Sequence, residues 1–84
     1  MINEVQATAS KELPVLRKGD TGGAVNLLQN LLIFLGYFNK DLRTGNFLEQ
    51  TEQAVKNFQS EYNLQADGIV GAKTWDLLGG VLWD

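Results

Sequence analysis

The sequence predicts an all-α fold: a compact three-helix bundle with long structured loops. Three observations predict it. The pattern G-x-h-x-x-x-T, with h apolar, occurs twice, as Gly45-Asn46-Phe47-Leu48-Glu49-Gln50-Thr51 and as Gly68-Ile69-Val70-Gly71-Ala72-Lys73-Thr74. The pattern A-V-x-x-h-Q also occurs twice, from Ala24 to Gln29 and from Ala54 to Gln59. Between Val25 and Leu35 the apolar residues recur at helical spacing. Two repeated patterns in so short a chain imply similar loop-then-helix units.

Each element follows from local chemistry. Residues 1–13 read as a linker or loose tail, because 1–12 have no apolar periodicity. The domain is expected over 14–84 and opens on an extended segment at Pro14-Val15-Leu16, since the residue before a proline avoids helix. Asp20 or Thr21 is the expected N-cap of a first helix over about Gly22 to Leu35. Val25, Leu28, Leu32 and Leu35 form one stripe, with Leu27, Leu31 and Phe34 beside it. A surface that wide predicts the buried centre of the fold. Gly36 is placed to end the helix in a left-handed cap.

Tyr37 to Thr44 reads as a polar loop. A second helix is expected over Glu49 to Tyr62, with Ala54, Val55, Phe58 and Tyr62 inward and Glu52, Gln53, Lys56 and Ser60 toward water. Asn63 can end it, and Asp67-Gly68 is a turn signal. A third helix should run from Ala72 to about Leu78 and stop at Gly79-Gly80. Val81, Leu82 and Trp83 then form an apolar tail that folds back on the core or docks on a neighbouring domain.

The repeated motif has a structural logic. Its glycine supplies a positive φ that a Cβ would penalise. The apolar residue two positions on, Phe47 or Val70, plugs the core. The threonine hydroxyl should bond a backbone group left unpaired at the helix start, and Gly71 suits the cap position. Gln29 and Gln59, late in apolar stripes, can span to loop backbone groups.

Composition excludes several function classes. The 84 residues allow one small domain, and a net charge of −3 disfavours nucleic-acid binding, which needs a basic surface. With no cysteine and no histidine there is no disulfide, thiol nucleophile, histidine base or common zinc site. No stretch reaches transmembrane length, and Met1 to Glu12 lacks the apolar run of a signal peptide. Asp67-Gly68 lacks the alternating oxygen ligands of a calcium loop. No cofactor is implied. Glu49, Glu52 and Glu61 lie on or near the second helix, but a three-helix domain has little room for the cleft that a carboxylate pair needs.

Three blocks in register carry a family resemblance. They are Leu16 to Gln29 followed by Leu35-Gly36-Tyr37, Thr51 to Gln59 followed by Leu64, and Asp67 to Trp75 followed by Leu77-Leu78. Over about residues 14–79 the chain resembles the peptidoglycan-binding domain family, the PGBD-like module. The resemblance implies a non-catalytic module that anchors an attached or partner cell-wall enzyme. Its implied partners are the glycan or stem peptide of peptidoglycan and a cell-wall hydrolase domain in cis. Its implied location is extracytoplasmic, in periplasm or cell wall, for part of an exported protein. The alternative is a protein–protein or intramolecular docking module on the same fold; the cysteine mechanism of related metalloprotease prodomains is excluded by composition. The chain departs from the family's D-G-x-F-G-P-x-T before the second helix, where Thr44 stands for Asp, Leu48 for Gly and Glu49 for Pro, and Ala72 stands for Pro before the third.

Those blocks are mostly scaffold and hand over no binding site, so candidate binding residues are drawn from chemistry. Sugars stack their C–H faces on aromatic rings, and carboxylates pair with cations. Tyr37, Lys40, Asp41, Arg43 and Asn46 share one loop, and Lys73 and Trp75 are expected on an adjoining rim. Against this, Tyr37 and Trp75 are residue types that often pack inside, and the loop charges can simply be solvated.

Overall fold

The computed structural model describes residues 13–83, with side chains through residue 80. The linker expected over 1–13 therefore lies, for residues 1–12, outside the described residues; Leu13 itself packs half-buried on the core. Three α-helices form: α1 (Gly23–Leu35), α2 (Glu49–Glu61) and α3 (Ala72–Trp83), with a 3-10 turn over Lys40–Leu42.

The core is assembled from all three helices and both motif plugs. Val25, Leu28 and Leu32 of α1, Val55 and Phe58 of α2, Leu78 of α3, and Phe47 and Val70 from the loops are all at most 1% exposed. Fully burying a side chain such as Phe47 or Leu28 stabilises by roughly 1.5–3 kcal/mol before the ordering cost. The N-terminal segment fastens both plugs. Leu16 and Val70 exchange backbone hydrogen bonds of 3.0 and 2.8 Å. Phe47 N–H donates to the Asp20 carbonyl at 2.8 Å, and Gly19 N–H donates to the Phe47 carbonyl at 2.8 Å. Each plug is thus held by the main chain as well as by apolar contact.

Several expectations need correction. α1 is buried on one face only: Leu27 is 43% and Phe34 77% exposed, so the second stripe borders water. The helix is not capped by Asp20 or Thr21. Gly22 precedes it without a side-chain cap, and the Asp20 carboxylate instead accepts from Arg17 N–H at 2.9 Å, closing the preceding turn. Gly36 ends the helix as expected, at φ 91°, its N–H donating to the Ile33 carbonyl at 3.0 Å. The Tyr37–Thr44 stretch contains the 3-10 turn, started by the Asn39 side chain accepting from Asp41 N–H at 2.8 Å. α2 matches its expectation, ending at Asn63 in the left-handed region (φ 63°), although Tyr62 is 38% exposed.

The third helix does not stop at Gly79-Gly80 but continues to Trp83. A glycine ends a helix by adopting positive φ, and neither residue does so. Two interior glycines cost about 1 kcal/mol each relative to alanine, yet the helix runs on past the buried Leu78. The tail expected over Val81, Leu82 and Trp83 is therefore helical in its backbone.

Candidate functional site

The repeated motifs build two copies of one hydrogen-bond clamp. In the first, Gln29 Oε1 accepts from Gly45 N–H at 2.9 Å, while Gln29 Nε2 donates to the Asn46 carbonyl at 3.1 Å and to Thr51 Oγ1 at 3.0 Å. In the second, Gln59 Oε1 accepts from Gly68 N–H at 2.9 Å, while Gln59 Nε2 donates to the Ile69 carbonyl at 2.9 Å and to Thr74 Oγ1 at 3.1 Å. The glutamines do span to loop backbone. The threonines were expected to bond backbone at the helix start; they accept from glutamine instead, because the buried amide has a second N–H to satisfy. Among the described residues no buried side-chain polar atom lacks a partner.

The glycines at the clamps are required by geometry. Gly45 and Gly68 sit at φ 81° and 77°. A Cβ on Gly68 would lie 2.8 Å from Glu52 Cγ, and one on Gly45 would lie 3.3 Å from Asn26 Nδ2. The backbone passes against a helix at both points, as the motif requires.

An open groove borders each clamp. The larger, about 440 Å³, runs from Asn63 and Gln65 past Asp67 to Lys73 and is closed below by Gln59 and Thr74. The smaller, about 190 Å³, is walled by Phe38, Leu42 and Leu48 and also lined by Thr44, Asn46, Gln50 and Thr51. Counted from the motif glycine, Thr44, Asn46, Leu48, Gln50 and Thr51 are the counterparts of Asp67, Ile69, Gly71, Lys73 and Thr74. The two grooves therefore share these motif positions and differ in the walls added around them.

The structure disperses the seven candidate residues. Asn46 lines the smaller groove and Lys73 the larger. Lys40 and Asp41 are exposed in the 3-10 turn. Arg43 donates from Nη1 to Asn30 Oδ1 at 2.7 Å, which ties its guanidinium to α1. Tyr37 is half-buried, edge-on to Phe58 at 5.5 Å, and its hydroxyl donates to Glu61 Oε1. That hydrogen bond, then burial, then the charge of Glu61 push the phenol well above its ordinary pKa, so it stays a neutral donor. Trp75 is 4% exposed, with its indole N–H donating to the Pro14 carbonyl at 2.8 Å. Its ring thus lies in the core rather than on a rim.

Asn63, Gln65 and Asp67 are not among the candidate binding residues read from sequence; Asn63 reads there as a helix end and Asp67 as part of a turn. The visible signal there was the Asp67-Gly68 turn, which marks where the chain bends and not which polar groups the bend gathers.

The family model described as "Putative peptidoglycan binding domain" matches residues 21–78, and the chain belongs to this family. It is 43% identical over 61 residues to the spore cortex-lytic enzyme of Bacillus subtilis (strain 168), a match covering 71% of this chain and 20% of that protein. It is 40% identical over 57 residues to the spore cortex-lytic enzyme of Halalkalibacterium halodurans, covering 68% of this chain and 17% of that one. The chain thus spans a fifth or less of the length of these two enzymes. Among solved structures, the SleB N-terminal domain superposes with a TM-score of 0.78 at 33% identity, covering 83% of this chain and 94% of that one. Among the described residues, no helix is long and apolar enough to cross a membrane.

Proposed function

We propose that this chain is a non-catalytic module that binds peptidoglycan and holds an attached or partner cell-wall enzyme on its substrate. The observation that carries this reading is the family match over residues 21–78, supported by likeness to the SleB N-terminal domain. The relatives named as cortex-lytic enzymes are several times longer than the shared segment, which leaves room in them for a separate catalytic part. A net charge of −3 gives no long-range pull toward an anionic wall, so binding is short-range and weak per site. Tethering compensates, because a linked enzyme meets the wall at high effective concentration. The module would work outside the cytoplasm, in the periplasm or wall.

Sedimentation with purified sacculi tests this. Retention above that of an unrelated domain of equal charge is the expected result, and equal recovery in the supernatant would sink the reading. A second reading, docking onto another protein or domain, draws on Phe34 and Leu27 exposed along α1. Phe34→Glu separates the two: it should leave sacculus retention unchanged under the first and abolish association under the second.

A further inference from the structure

Resting on the wall-binding reading, we propose that the 440 Å³ groove between the end of α2 and the start of α3 is the contact site, and that it takes the peptide stem and not the glycan. Its volume is in the range of small-ligand sites, and it is open along one side. No aromatic residue is among those lining it, so it offers no flat face for a sugar ring to stack on. It offers instead donors and charges of both signs. The side chains of Asn63, Gln65 and Lys73 face the groove and make no hydrogen bond to other described residues, whereas Arg43 in the Tyr37–Asn46 loop is already held by Asn30. Lys73 is exposed and supplies an ammonium for a peptide carboxylate.

The floor adds pre-organisation. Gln59 and Thr74 are 1% and 4% exposed, and they are fixed by the clamp, so the groove keeps its shape without a ligand. Asp67 Oδ1 already accepts from Gln59 Nε2 at 3.2 Å and Ile69 N–H at 2.9 Å, which orients the carboxylate at the groove edge. A stem peptide carries free carboxylates and, on its diamino residue, an amine. Lys73 and Asp67 match that pair of charges, with Asn63 and Gln65 as amide partners for the peptide backbone. The smaller groove is the internal contrast: Gln50 and Thr44 stand where Lys73 and Asp67 do, so it lacks both charges.

The test uses the ¹⁵N-labelled chain and two probes: a tetrapeptide stem released from sacculi by an amidase, and a peptide-free oligomer of N-acetylglucosamine and N-acetylmuramic acid. The peptide is expected to shift the amides of Asn63, Gln65 and Lys73, and the oligomer to leave them in place. Lys73→Glu should weaken peptide binding about fivefold or more, the loss of a charge-assisted contact. Lys18→Glu, the same charge change in the exposed Arg17–Asp20 turn, should not. Peptide shifts confined to residues 37–46, Lys40→Glu replacing Lys73→Glu as the damaging change, or oligomer shifts in the groove would each overturn the inference. Sacculus retention without any peptide shift would overturn it while leaving the wall-binding reading standing. Loss of sacculus retention would end both.

Discussion

The two clamps agree where they are buried and differ where they are exposed. Glycine at positive φ, a fully buried plug, a buried threonine and a buried glutamine appear in both, with matching bonds of 2.9 to 3.1 Å. The groove-lining positions between them are unlike: Thr44 against Asp67, Asn46 against Ile69, Leu48 against Gly71, Gln50 against Lys73. One pairing reaches inward. Asp67 is a third acceptor at 3.2 Å that shares the two hydrogens of Gln59 Nε2, whereas Thr44 accepts only from Asn46 N–H at 3.1 Å and leaves Gln29 with three bonds. The repeat therefore specifies a scaffold, and each copy's surface is free to serve a different contact.

If that is right, breaking the plugs should cost most. Phe47→Ala empties a fully buried aromatic site and should destabilise by about 4 kcal/mol, while Val70→Ala, losing two methyl groups, should cost about 2 kcal/mol. Urea unfolding followed by tryptophan fluorescence measures both. Equal costs would mean that the two halves do not carry the core as their side-chain volumes imply.

The glutamines come next. Gln29→Ala strands the Gly45 N–H, the Asn46 carbonyl and the Thr51 hydroxyl, and should cost about 3 kcal/mol. Gln59→Ala should cost about 0.5 kcal/mol more, because exposed Asp67 loses its share of a donor while keeping the Ile69 N–H. A smaller loss at Gln59 than at Gln29 would break the comparison at its main point.

The glycines discriminate more finely. Alanine at either position pays about 1–2 kcal/mol for positive φ. At Gly68 the added carbon also meets Glu52 Cγ at 2.8 Å, so Gly68→Ala should be the worse of the two. Glu52→Ala in the Gly68→Ala background should recover most of that excess, leaving the 3.2 Å approach to Lys56 Cε, and nothing of the φ cost. Hydrogen-exchange protection at residues 68–70 reports it directly.

These magnitudes explain what was readable in the sequence. The plugs, the glycines, the glutamines and helices α1 and α2 were legible because each satisfies a local rule: an apolar period, a positive-φ turn, a polar group that must be paired. The end of α3 was not, since Gly79-Gly80 reads as a stop and a glycine pair does not itself reveal which φ it adopts. The exposure of Phe34 was hidden for a similar reason: periodicity places it on a stripe but does not say what covers that stripe. The grooves were least legible. Asn63, Gln65 and Lys73 meet only through the fold, and no spacing in the sequence marks them. Trp75 and Lys73 are two residues apart, yet one is core and the other lines a groove, so residue type alone could not sort them.

The smallest expected effect is the most pointed. Thr44→Asp writes the second clamp's chemistry into the first. The new carboxylate should keep the bond to Asn46 N–H and gain one from Gln29 Nε2, as Asp67 does with Ile69 N–H and Gln59 Nε2. The site is exposed, so the gain is limited to about 0.5–1 kcal/mol. The gain must disappear in a Gln29→Ala background if it comes from the clamp, and the reciprocal Asp67→Thr should lose a similar amount. A gain that survives without Gln29 would trace to charge at the start of α2 and not to the clamp. In that case the likeness of the two loops would stop at the backbone, and the difference between Thr44 and Asp67 would belong to the surface alone.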